Sequence, residues 1–100
     1  MKKFRLDIAQ DVRNLISHLP PHLKKKVKAA IQSLADNPHQ AKELKDELRG
    51  LRSYRVTRSR LILRIQKSIV EIVAFGPRKD IYERAAREFT VASRQLKRKK

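Results

Sequence analysis

Phe4, Leu6 and Ile8 alternate with Lys3, Arg5 and Asp7, and this period of two predicts a short first strand. Asp7 followed three residues on by Gln10 has the form of a capping box, which predicts that the strand gives way to a helix there. Ile8, Val12, Leu15, Ile16 and Leu19 then fall on one helical face, and Pro20-Pro21 ends it. A second helix is predicted from about Pro21, since proline suits a first turn whose N–H groups have no partner. Its buried stripe is Leu23, Val27, Ala30, Ile31 and Leu34, with Lys24, Lys25, Lys26 and Lys28 around the other faces, and Asp36-Asn37-Pro38 stops it. The connection is short enough for an antiparallel helical hairpin.

From His39 to Gly50 the pattern weakens, and helix, turn or irregular connection all fit Ala41, Leu44 and Leu48; a loosely packed linker is expected. After Gly50 the period becomes two. Strands are predicted over 51–57, 60–66 and 69–75, joined at Arg58-Ser59 and Lys67-Ser68 by links that allow only antiparallel hairpins. The run 69–75 is apolar on both faces apart from Glu71, which marks a central strand. Gly76-Pro77 breaks the ladder. Asp80 and Glu83 form a second capping box, so a helix is expected from about Ile81 through Ala85, Ala86 and Phe89, with Val91, Ala92 and Leu96 able to prolong its stripe. The expected fold is α+β, in the order β-α-α-β-β-β-α: an N-terminal strand and helical hairpin packed on an antiparallel sheet, with a C-terminal helix.

Composition adds a partner to this scaffold. One hundred residues make a single domain, 1–100, with a basic tail at 97–100 expected to fray. Lys and Arg number 26 against 10 Asp and Glu, a net charge of +16 whose self-repulsion an anionic partner would offset. Nucleic acid leads, since neutralised phosphates release counterions, while an acidic protein or an anionic membrane surface would also meet the charge. The absence of cysteine excludes disulfides and thiolate zinc sites. No signal peptide or membrane-length apolar run is present, so a soluble, cytoplasmic protein is expected.

The charge is concentrated. Arg49, Arg52, Arg55, Arg58, Arg60, Arg64 and Lys67 fall in a stretch without an acid. On alternating strands Arg55 and Thr57 share one face, and Arg60, Ile62 and Arg64 oppose Leu61, Leu63 and Ile65. If the leucine face packs on the helices, the arginine face is open to solvent. Arg78 and Lys79 follow the central strand, and Tyr82 brings a ring able to stack on a base and a hydroxyl. Guanidinium forks for phosphates and an aromatic face for unpaired bases suit single-stranded RNA. The plain alternative is a solvated basic sheet with Tyr82 in the core. His18 and His22 straddle Pro20-Pro21, so they do not form a helical metal pair, and no metal or cofactor is expected.

The segments LRSYRVTRSRLILRI and IVEIVAFGPRKDIYERA resemble the RelE/ParE toxin superfamily, in particular its RelE-type mRNA interferase branch. The likeness lies in a basic YRVxxxRxI hairpin and a strand ending in GxRxxxY. It implies a type II toxin that cleaves ribosome-bound mRNA without metal by attack of the 2′-hydroxyl, inhibiting translation. Its implied partners are mRNA and rRNA on the ribosome and an acidic antitoxin encoded beside it, the toxin alone being a monomer. The resemblance places Arg60 and Arg78 on the phosphate, Tyr82 on the nucleotide and Arg55 on the first hairpin strand; the charge pattern of the hairpin and of the stretch after it adds Arg52, Arg58, Arg64 and Lys79 as further RNA contacts. Where RelE enzymes carry lysines, this chain has Arg55 and Thr57, and Ser59 and Leu63 stand where relatives show tyrosine. A guanidinium is a poor general base, so the base is unassigned. The other readings are a ParE-like inhibitor of DNA gyrase and a non-catalytic RNA- or ribosome-binding module.

Overall fold

The computed structural model describes residues 4–77 and 81–83. Strand β1 (Arg5–Ile8) leads into helices α1 (Gln10–Ser17) and α2 (Pro21–Asp36). Strands β2 (Lys42–Glu43), β3 (Arg52–Val56), β4 (Ser59–Gln66) and β5 (Ile69–Pro77) follow. The sheet has the order β1-β5-β4-β3-β2. The expected α+β fold is present, and the predicted helices and hairpins lie within a few residues of their expected bounds, but the ladder does not break at Gly76-Pro77: β5 runs through both, Gly76 opposite Arg60 and Pro77, a residue without an N–H, at the strand end opposite Ser59. Residues 81–83 are helical, as expected, and the rest of the predicted last helix lies outside the described residues.

The first strand enters the sheet in parallel, beside β5, with Leu6 opposite Val70 and Ile8 opposite Ile72. This makes the sheet mixed rather than wholly antiparallel. It also explains why the Asp7 capping box does not form. The Ala9 N–H donates to the Ile72 carbonyl at 3.0 Å, so the β1–β5 ladder holds the chain extended past Asp7. The helix cap falls on Ala9, with no side-chain bond, and the Asp11 carboxylate accepts the Val12 N–H instead. α1 spans eight residues, so Val12 and Ile16 are buried, Leu15 faces solvent and Leu19 packs from beyond the helix end. α2 follows its prediction, with Pro21 first and Val27, Ile31, Leu34 and Ala35 buried.

The stretch 39–50 is more structured than a loose linker. A 3₁₀ turn (Pro38–Gln40), the two residues of β2 and a second 3₁₀ turn (Asp46–Leu48) succeed one another, each too short to leave a period in the sequence. Gly50, at φ 97°, supplies the left-handed conformation that returns the chain to β3. The first hairpin loop is Thr57-Arg58, one residue earlier than predicted, and the second is Lys67-Ser68. Their first residues both have φ 55°. At Thr57 this is strained, because a β-branched side chain crowds the backbone there.

Helices α1 and α2 cover one face of the sheet, α1 lying against β5 and α2 against β3. Val27, Ile31, Leu34, Leu61, Leu63, Val70, Ile72 and Phe75 form the centre of that core. Ile72 and Phe75 are three residues apart, a spacing that plain alternation would put on opposite faces. A bulge resolves it: Ile62 pairs with Ala74 and Leu63 with Ile72, leaving Val73 as the extra residue. Val73 and Ala74 thus turn to the second face, where they meet Leu51, Ile62 and Ile81. The expectation that the Arg60–Ile62–Arg64 face is open to solvent is therefore corrected. Ile62 is 0% exposed beneath a second small core that Leu44, Leu48 and Tyr82 complete.

Candidate nucleic-acid interface

The second core has a cationic end. Arg55 on β3 lies directly opposite Arg60 on β4, and Arg60 lies opposite Gly76 on β5. One row across three strands thus carries two guanidinium groups side by side and closes on the residue before Pro77. The two like charges repel unless an anion lies between or above them. Arg55 is exposed, its Nε donating to the Thr57 carbonyl at 3.0 Å, which folds it back over its own hairpin turn. Arg60 is half-buried and Arg58 is exposed in the loop beside it. Arg78 and Lys79, expected just past this row, lie outside the described residues.

The other predicted contacts separate from this group. Arg64, four residues along β4, donates through Nε and Nη2 to one carboxylate oxygen of Glu71 at 3.0 and 2.7 Å. Its charge is met within the chain. Arg52 shares strand parity with Tyr54 and Val56, which belong to the helix-side core, and its Nη1 donates to the Ala41 carbonyl at 3.0 Å. The Arg52 guanidinium ties β3 to the turn before β2 and does not join the Arg55–Arg60 row.

Tyr82 does join it. The helical turn at residues 81–83 sets its ring, half-buried, on the second core. Its hydroxyl lies 3.0 Å from the Oγ of Ser53. Ser53 and Arg55 are two residues apart on β3 and share a face, so this anchor sits roughly 7 Å along the strand from the arginine row. Ser53 had no role in the sequence reading. The available signal was its parity with Arg55, a small polar residue amid alternating large side chains.

Among the described residues no cluster of three or more His, Asp or Glu side chains is placed to hold a metal ion. None of their helices is long and apolar enough to cross a membrane. A groove of about 330 Å³ lies between β1, α1 and α2, floored by Leu6, Ile8, Ile16 and Ile31. It opens on the helix side of the sheet, away from Arg60 and Tyr82.

A mixed five-stranded sheet with a helical pair on one face and an arginine row on the other is an architecture with known relatives. Residues 3–82 match the family model described as the ParE toxin of type II toxin-antitoxin system, parDE. The chain belongs to this family, within the RelE/ParE superfamily of type II toxins. Among solved structures, it is similar to the toxin-antitoxin complex RelBE2 from Mycobacterium tuberculosis at 26% identity and TM-score 0.69, over 76% of this chain and 99% of that one. It shares its fold with the archaeal RelE-RelB complex from Pyrococcus horikoshii at 19% identity and TM-score 0.66, over 76% and 96%. A substituted mutant of the Escherichia coli toxin RelE in the free state aligns over 98% of both chains at 17% identity and TM-score 0.63. No curated protein matches the chain.

Proposed function

We propose that this toxin is a ribosome-dependent mRNA endoribonuclease, working in the cytoplasm as a monomer and silenced by an acidic antitoxin encoded beside it. The observation that carries the reading is the Arg55–Arg60 pair with Tyr82 anchored next to it. In-line attack of a ribose 2′-hydroxyl on the adjacent phosphate forms the O2′–P bond and breaks the P–O5′ bond, leaving a cyclic phosphate and a 5′-hydroxyl. The step needs a base for the attacking hydroxyl, cations around the phosphorane and a proton for the leaving oxygen. Arg60 and Arg78 supply the cations, Arg55 adds field to the same row, and Tyr82 orients the nucleotide. Arg58, in the hairpin loop, and Lys79 add phosphate contacts. Guanidinium groups stay charged throughout, which suits a clamp and not a proton carrier.

The RelE-named complexes among the similar structures support both the nuclease branch and the antitoxin partner. The description of the family model favours a second reading, a ParE-like inhibitor of DNA gyrase. The Arg78–Tyr82 spacing supports the nuclease. Purified toxin added to a translation reaction is expected to cut within ribosome-bound codons, with cutting lost in Arg60→Ala and in Arg78→Ala. Intact message together with inhibited gyrase supercoiling would reverse the assignment.

A further inference from the structure

We infer that Ser53 is a positioning residue for Tyr82, and that the Tyr82 hydroxyl is committed to Ser53, so that Tyr82 meets its nucleotide through the ring. This deepens the nuclease reading and rests on it for its activity measurement. Ser53 is 2% exposed. Across the sheet it pairs with Ile62, and Leu51, Val73, Ala74 and Ile81 make up the same small core. A hydroxyl in such surroundings is unfavourable unless bonded, and alanine would fill the position with no polar atom to satisfy. Ser53 instead bonds Tyr82 at 3.0 Å, and among the described residues no buried side-chain polar atom is left without a partner.

The bond crosses from β3, where Ser53 is paired on both sides, to the helical turn at residues 81–83. Apolar packing on the second core is non-directional, and without the bond a half-exposed ring rocks about its χ angles. The hydroxyl bond fixes the far end of the ring as Ile81 fixes the near end. The ring is then held at one height beside the arginine row, a preorganised face for a base to stack on. With the Tyr82 hydroxyl as the donor, its one proton lies toward the Ser53 Oγ and away from a leaving oxygen. This separates the ring's contribution from the hydroxyl's.

A double-mutant cycle on the full chain tests this. Ser53→Ala and Tyr82→Phe should each slow single-turnover cleavage of ribosome-bound message by about 3- to 10-fold, the loss of one ordinary hydrogen bond. The double variant should be no slower than either alone, and Ser53→Thr should restore the rate. Tyr82→Phe losing far more than Ser53→Ala, with additive effects, would overturn the inference by making the hydroxyl itself reactive. NMR of the free protein keeps this separate from the nuclease reading. Tyr82 ring signals should shift and average in Ser53→Ala but not in Ser53→Thr, and unchanged signals would overturn the inference. If the wild type cuts no message, the nuclease reading falls, and the NMR result alone decides whether Ser53 holds the ring.

Discussion

The two faces of the sheet are built from the same strands but on different principles. On β4, Leu61 and Leu63 enter the helix-side core while Arg60, Ile62 and Arg64 turn the other way. The helix-side core is a broad aliphatic layer under α1 and α2. The opposite face has a small apolar patch with charges at two edges, Arg55 and Arg60 at one and Arg64 with Glu71 at the other. The lesson is a division of labour set by strand parity. One parity builds the broad core under the helices, and the other seats the Arg55–Arg60 row at the edge of a smaller one.

Substitutions on the two faces should therefore fail in different ways. The largest effect on stability is expected from Leu63→Ala, fully buried beneath the helices, at about 2–5 kcal/mol. Urea unfolding would show it. Arg60→Ala should leave the urea midpoint nearly unchanged while lowering the cleavage rate by about 10²–10³-fold, the scale of losing one charge-stabilising donor. A comparable loss of stability would merge the two faces and break the comparison.

Arg64→Ala sharpens it. Its guanidinium is paired with Glu71 and the two side chains are 30% and 27% exposed, so about 1 kcal/mol of stability or less is at stake. Activity should fall far less than in Arg60→Ala, by about 3-fold on the scale of one weak contact. The smallest effect is a gain. Thr57→Gly removes the strain of a β-branched residue at φ 55°, offset by the flexibility of glycine in the unfolded chain. A net stabilisation of about 0.5–1 kcal/mol is expected in thermal unfolding, with cleavage retained.

What was legible in the sequence was whatever a period could carry. α2 showed itself through a four-turn stripe ending at Asn37-Pro38, and the β3–β4–β5 hairpins through alternation and two-residue links. The Val73 bulge was invisible because an apolar run reads the same with or without an extra residue. The parallel placement of β1 depends on a pairing 64 residues away in the chain, Arg5 with Ile69, which no local pattern encodes. At the site, the Arg55–Arg60 pairing followed from the hairpin. Arg52 was grouped with it by charge density, although strand parity already set it on the other face. Arg64 was grouped with it by parity, and its engagement with Glu71 needed the cross-strand register. Ser53 went unread because its partner lies 29 residues on, beyond the end of β5.

The central claim is that the Arg55–Arg60 row beside Tyr82 cuts RNA. Mapping of mRNA 5′ ends in a reconstituted translation reaction, with wild-type protein and a fully folded Arg60→Ala variant, tests it most directly. New 5′-hydroxyl ends inside ribosome-bound codons with the wild type, absent with Arg60→Ala, are the predicted result. Unbroken message with both proteins, at concentrations where the wild type still arrests translation, would contradict it.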